Sequence, residues 1–136
     1  AKSILKKKFK SIGILGLSYK GNLKVDILSP VKPFVDYLIK RETNVKIFDP
    51  FYSSKEISKK LGIKTFNYPE DLKKFDCIVI SVDHSIFKKK FDITKKYLKK
   101  CKFVLDNMGV WKNFKLPENI EYKISGEKNW IWEKKS

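Results

Sequence analysis

The sequence predicts an α/β domain built on a mainly parallel, doubly wound sheet, and three observations carry that expectation. Short apolar runs recur at residues 11–17 (SIGILGL), 44–48 (NVKIF), 76–82 (DCIVISV) and 102–106 (KFVLD). Segments with helical spacing separate them. The central runs are apolar at successive positions rather than at alternate ones, as strands covered on both faces require. Right-handed crossovers between such strands give a Rossmann-like unit with helices on both faces. The 136 residues, 42% of them hydrophobic, suffice for one core and not comfortably for two.

Residues 1–9 (AKSILKKKF) read as the tail of an upstream helix or a linker, with one domain over 10–136. After the first strand, Ser29 reads as an N-cap with Pro30 at the first helical position. Val31, Phe34, Val35, Leu38 and Ile39 then mark one face of a helix. Asp49-Pro50 stops the second strand. A short helix over 53–61 ends at Gly62. Residues 63–66 are expected to form a short strand and 69–74 one or two helical turns. Residues 84–100 are expected to hold one or two basic amphipathic helices, with Asp92 capping the second. A last strand is expected in IEYKI, followed by a tail in which Trp130 and Trp132 have no evident partner.

The formal charge is +16, from 31 Lys and Arg against 15 Asp and Glu, and Arg41 is the sole arginine. Base reading leans on arginine's bidentate fork, whereas lysine is a point charge. A lysine excess dispersed along the whole chain fits a compositional bias, such as hyperthermophile proteomes show, better than a built nucleic-acid stripe. Nonspecific attraction to polyanions follows, but no specific nucleic-acid partner. Cys77 and Cys101 lack metal-site spacing and read as small apolar fillers. With one histidine, a zinc site is not expected. No run reaches the length of a membrane span, so the expectation is a cytoplasmic, reduced protein without a membrane partner.

In parallel sheets of this kind ligands bind beyond the carboxyl ends of the strands. That narrows the search to residues 16–24, 49–53, 82–85 and 106–112. Gly13, Gly16 and Gly21 give GxxGxxxxG rather than the GxGxxG of dinucleotide-binding turns. About a dozen residues separate strand from helix, where that fingerprint has a tight turn. Asp49 stands where a ribose-binding carboxylate would be and is equally readable as a turn residue. Tyr19-Lys20-Gly21-Asn22 places an aromatic beside a lysine, a plate and a cation suited to a nucleotide or sugar phosphate. His84 could hydrogen-bond in the cleft or merely cap. Asp106-Asn107-Met108-Gly109 could close the floor of a pocket. On pattern alone, a purely structural role for the first loop stands equal to a binding one.

These segments carry a resemblance. GLSYKGNLKVDILSP is similar to the signature opening the C-terminal domain of the UDP-glucose/GDP-mannose dehydrogenase family, roughly G-L-[AS]-[FY]-K-x-[ND]-x-x-D-x-R-x-S-P. NVKIFDPF, FDCIVISVDHSIF and FVLDNMGVWK match further landmarks in order, across about residues 10–113. The H-x-x-F and G-V-W elements look nearest the UDP-N-acetylmannosamine and UDP-N-acetylglucosamine 6-dehydrogenases.

The resemblance implies a nucleotide-sugar-binding domain from an NAD-dependent oxidoreductase that converts a C6 alcohol to a carboxylate. Tyr19 and Lys20 match the family's pair that contacts the nucleotide sugar. Gly21, Asn22, Asp106 and Gly109 complete the candidate substrate-binding set. Implied partners are a UDP-sugar, the NAD-binding and central domains of the same enzyme, and a homodimer formed through those domains. NAD belongs to that parent enzyme and is not expected to bind this chain alone. No catalytic residue is assigned, because neither cysteine lies in a matching motif.

The departures are specific. Ile27 replaces the signature arginine, Lys24 and Val25 stand where aspartates are usual with Asp26 one place away, and Met108 replaces a basic residue. They support one rival reading, a degenerate binding or interaction module that keeps the fold. The charge supports another, a polyanion-binding protein.

Overall fold

A computed structural model describes residues 9–27 and 29–125. The expected upstream helix at 1–8 and the tryptophans at 130 and 132 lie outside the described residues. Five strands, β1 (Ser11–Leu15), β2 (Asn44–Phe48), β3 (Cys77–Ile80), β4 (Phe103–Asp106) and β5 (Glu121–Ile124), form one sheet in the order β2-β1-β3-β4-β5. Every pairing is parallel. The α/β doubly wound expectation therefore holds.

Side chains alternate across this sheet. Ile12, Ile14, Val45, Ile47, Cys77, Val79, Phe103 and Leu105 bury one face. Against it lie helices α1 (Val31–Lys40) and α2 (Ser54–Leu61). The other face holds Leu15, Ile78, Ile80 and Val104, covered by Phe66, Leu72, Phe75, Phe87, Phe91, Leu98 and Trp111. The Trp111 indole N–H donates to the Phe87 carbonyl at 2.8 Å, so its one polar atom is paired.

Local chemistry explains α2. The Ser53 hydroxyl accepts from the Glu56 N–H, and the Glu56 carboxylate accepts from the Ser53 N–H, a reciprocal capping box. Gly62, at φ 74°, ends it in a left-handed conformation. In α1 the cap differs by one residue from expectation. Pro30 takes the cap position and the Ser29 hydroxyl receives the Val31 N–H at 3.2 Å.

Two elements depart further. Residues 63–66 make only an isolated bridge, Thr65 to Ile47, at the sheet's β2 edge. The basic stretch beyond His84 forms a 3-10 turn at Ser85–Phe87, a single α-turn α3 (Phe91–Thr94) and another 3-10 turn at Lys95–Tyr97. Lys90, left-handed at φ 52°, precedes α3, and Asp92 sits in its first turn without capping it. Burying Phe87, Phe91 and Leu98 on one face overrides a continuous helix.

Cys77 and Cys101 are buried and free, as expected of apolar fillers. Burial pushes both thiols up, that of Cys101 to about 12. Among the described residues no helix is long and apolar enough to cross a membrane.

Gly13 lies mid-strand in β1, where an added Cβ would stand 2.5 Å from the Phe75 ring. Phe75 is itself buried against Phe66, with ring centroids 4.9 Å apart. Gly13→Val is expected to cost about 1–3 kcal/mol of stability by overpacking, read as a lower urea midpoint at unchanged slope.

Candidate functional site

From β1 the chain crosses to β2 on one side and then to β3 on the other. The strand order thus reverses between β1 and β3, and in sheets of this kind ligands bind beyond the carboxyl ends of the strands at such a switch point. The long loop after β1 and the loop after β3 border it.

Asp49, following β2, organises the base of the β1 loop. Its Oδ2 accepts from the N–H groups of Leu17 (2.7 Å) and Ser18 (3.0 Å) and from the Ser18 hydroxyl (3.2 Å), while Oδ1 accepts from the Phe51 N–H (2.8 Å). Burial alone would raise the carboxyl. The hydrogen bonds from His84, Phe51, Ser18 and Leu17 together outweigh it and hold the group below the ordinary carboxylate value. Asp49 is 1% exposed, so this carboxylate is a loop anchor and is not open to a ribose.

His84 completes the anchor. Its Nε2 lies 2.9 Å from Asp49 Oδ2, and its Nδ1 accepts the Asn22 N–H at 2.8 Å. The Asn22 side-chain oxygen in turn receives the Ser85 N–H (3.0 Å) and the Ser85 hydroxyl (3.2 Å). Asn22 adopts φ 60°, a left-handed geometry that asparagine tolerates better than most residues. Further along, Tyr19 N–H donates to the Val25 carbonyl, folding residues 19–25 back on themselves.

The glycine spacing now has a physical account. Gly16 sits at φ 110° with an added Cβ falling on Val82, and Ser81 Oγ donates to the Leu15 carbonyl at 3.1 Å. A Cβ on Gly21 would stand 2.6 Å from the Asp83 carbonyl oxygen. Both glycines let the β3 loop press on the β1 loop. Neither leaves backbone open to a pyrophosphate, so this turn does not fit a dinucleotide.

Above that anchor the loop presents Tyr19, 40% exposed, and Lys20, also exposed and without an ion pair among the described residues. Gly21 and Asn22 follow directly, against the loop after β3. The loop's other charges are engaged: Lys24 pairs with Glu56 at 2.6 Å and Asp26 with Lys60 at 3.3 Å. Ile27, at the position of the signature arginine, is 87% exposed.

On the far side, Asp106 closes the β4 loop upon itself. Its Oδ1 accepts the Val110 N–H (2.8 Å), and its Oδ2 accepts the Trp111 N–H (2.7 Å) and the Tyr122 hydroxyl (2.6 Å). Burial, and then the adjacent Asp106, push the Tyr122 phenol up. Gly109 makes the turn at φ 73°. Asn107 Nδ2 reaches the Ser81 carbonyl at 3.4 Å, fastening this loop to the one after β3. Asp106 thus shapes the loop, with its oxygens directed inward, while Met108 is exposed.

Of the groups singled out from sequence, Tyr19, Lys20, Gly21 and Asn22 lie together on one loop, and His84 supports it from beneath. The anchoring by Ser18, Ser85 and Asp49 was not legible, because its partners are 31 to 63 residues apart. A concavity of about 650 Å³ lined by Ser54, Lys55, Ser58, Lys59, Lys64 and Thr65 lies elsewhere, and no residue of the loops after β1 and β3 lines it. Among the described residues no cluster of His, Cys, Asp and Glu could hold a metal ion.

A UDP-N-acetyl-D-mannosamine dehydrogenase from Methanococcus aeolicus is 30% identical over 134 residues, spanning 88% of this chain and 27% of that protein. Another, from a Methanococcus maripaludis strain, is 34% identical over 107 residues, spanning 73% of the chain and 22% of that protein. The chain therefore spans about a quarter of the length of the curated relatives it matches. In fold it resembles a UDP-D-ManNAc dehydrogenase from Pyrococcus horikoshii, with a TM-score of 0.66 and 24% identity over 94% of this chain and 28% of that one. It also resembles a GDP-mannose dehydrogenase from Pseudomonas aeruginosa, with a TM-score of 0.65 and 20% identity over 89% of this chain and 29% of that one. Residues 13–113 match the UDP binding domain of the UDP-glucose/GDP-mannose dehydrogenase family, and the chain belongs to that family.

Proposed function

We propose that the loop after β1, at the switch point between β1 and β3, binds the nucleotide diphosphate of a UDP-sugar, as part of the substrate-holding domain of an NAD-dependent nucleotide-sugar 6-dehydrogenase. The observation that carries this reading is the pairing of Tyr19 and Lys20. An exposed ring and an exposed cation without an ion pair among the described residues are adjacent in sequence on a loop whose base is anchored to two other strands. The Tyr19 ring offers an apolar plate for the uracil or ribose, and the Lys20 ammonium a charge for the diphosphate. Gly21 and Asn22 hold the turn that aims them. Asp106 and Gly109 shape the β4 loop as the opposite wall. N-acetylmannosamine is the sugar favoured by the names of the relatives.

Oxidation of the sugar, NAD and any dimer contact belong to the remainder of the enzyme, which together with the UDP-sugar makes up the partners of this chain. The free thiols of Cys77 and Cys101 support a cytoplasmic location. Ile27 favours a second reading, a module that retains the fold without the ligand.

Lys20→Ala separates the two. On the first reading it weakens UDP binding roughly tenfold, the loss of one charge-assisted contact, and leaves the unfolding midpoint unchanged. Absence of UDP binding by the unaltered chain, or equal binding by both, would sink the nucleotide reading. Binding that collapses for UDP and ATP alike between low and moderate salt would instead indicate a polyanion binder.

A further inference from the structure

We propose that His84 and Asp49 are positioning residues for the nucleotide site, and that a second proton on the His84 ring releases the loop carrying Tyr19 and Lys20. This rests on the nucleotide reading above for its functional consequence, although not for the release itself. The argument begins from what each atom can do. A backbone N–H only donates, so Nδ1 of His84 must be bare to accept the Asn22 N–H at 2.8 Å. The ring proton is then on Nε2, donating to the Asp49 carboxylate at 2.9 Å. The ring itself is fully buried.

The surroundings leave one way to accommodate a second proton. Asp49 faces one edge of the ring and the Asn22 amide the other, with the Phe51 and Phe87 rings at 4.9 and 5.6 Å between centroids. Around Asp49 the further titratable groups are Tyr52 and, beyond it, Asp26, with the Lys24 ammonium 5.2 Å over the Tyr52 ring. Asp83, next in sequence to His84, is exposed. Asp49 stays ionised well into acid, since its carboxyl is held below the ordinary range. An imidazolium therefore keeps its Asp49 partner, and the conflict falls on Nδ1. There an N–H would point at an N–H. Only displacement of the Asn22 turn relieves it, and Tyr19 and Lys20 move with that turn.

The test follows the ligand-free protein by ¹⁵N–¹H NMR from neutral pH down to the acid limit at which the fold persists. The proposal expects the Asn22 and Ser85 amides to shift in one common step while the fold persists. A parallel arm measures UDP affinity at both ends for the unaltered chain and for His84→Asn. The asparagine oxygen can accept the Asn22 N–H in place of Nδ1 but does not titrate. Affinity should fall roughly three- to tenfold more in the unaltered chain, the loss of one buried hydrogen bond. That comparison also cancels protonation of UDP itself.

An Asn22 amide indifferent to pH in the folded protein overturns the proposal, as does an equal loss of affinity in both proteins. Failure of UDP to bind at either pH sinks the nucleotide reading instead, and the amide arm then decides the release. That arm needs no variant, so a misfolded His84→Asn does not obstruct the result.

Discussion

Replacing Asp49 by alanine is expected to lower the unfolding free energy by about 3–5 kcal/mol, seen as a drop of about 10 °C or more in Tm. The side chain contributes almost nothing through apolar burial. Its importance lies in the donors it satisfies. Leu17 N–H, Ser18 N–H, Ser18 Oγ, Phe51 N–H and His84 Nε2 all converge on one buried carboxylate. Losing the acceptor strands buried N–H groups, each costing about 1–3 kcal/mol. The same site sets a pH dependence. The folded carboxyl lies below its ordinary value of 3.8, so its stabilisation is fully present above that pH. It is lost as pH falls through the lower folded value. Acid unfolding of the unaltered chain should therefore include a component below about pH 4 that Asp49→Asn removes. Urea midpoints measured at neutral and acid pH check both statements.

Asp106→Ala is expected to cost about 3–4 kcal/mol for a related reason at the other wall. The buried Val110 and Trp111 N–H groups and the half-buried Tyr122 hydroxyl would lose their acceptor. Trp111 fills the face beneath, so loosening of the loop should appear as a red-shifted tryptophan emission before global unfolding. Asp106→Asn keeps the shape but turns an amide toward donors, and should recover only part of the loss. An alanine variant within about 0.5 kcal/mol of the unaltered chain would show that this loop is held by packing alone.

The parts of this fold that could be read from sequence are those specified by nearby residues. The helix at Ser54–Leu61 is announced by Ser53, Glu56 and Gly62, and the stripe from Val31 to Leu38 marks α1. The central strands announce themselves by being apolar throughout, because both faces are covered. The parts that could not be read depend on distant chain. Thr65 stands at an exposed edge, where a single bridge to Ile47 replaces a strand. The turns after His84 follow from where Phe87, Phe91 and Leu98 must be buried, which helical spacing alone does not reveal.

The site divides in the same way. Tyr19 and Lys20 were legible as an aromatic–cation pair after a strand. Asp49 and His84 were visible as residue types at strand ends, yet their partnership is created by the sheet order. The glycine spacing was legible as departing from a dinucleotide fingerprint, but its cause, steric contact between two loops, was not. Ile27 and Met108 remain exposed at positions where the family signature is basic, and Lys24 nearby is paired with Glu56.

The central claim is that the loop after β1, at the switch point between β1 and β3, holds a uridine diphosphate. The most direct measurement is an amide NMR titration of the chain with UDP and UDP-N-acetylhexosamines, against ATP, at moderate salt. The account predicts saturable shifts concentrated on residues 16–24, with weaker ones on 81–85 and 106–112, induced by uridine ligands and not by ATP. Shifts absent from residues 16–24, or spread over the lysines of the whole surface and abolished by salt, would contradict it.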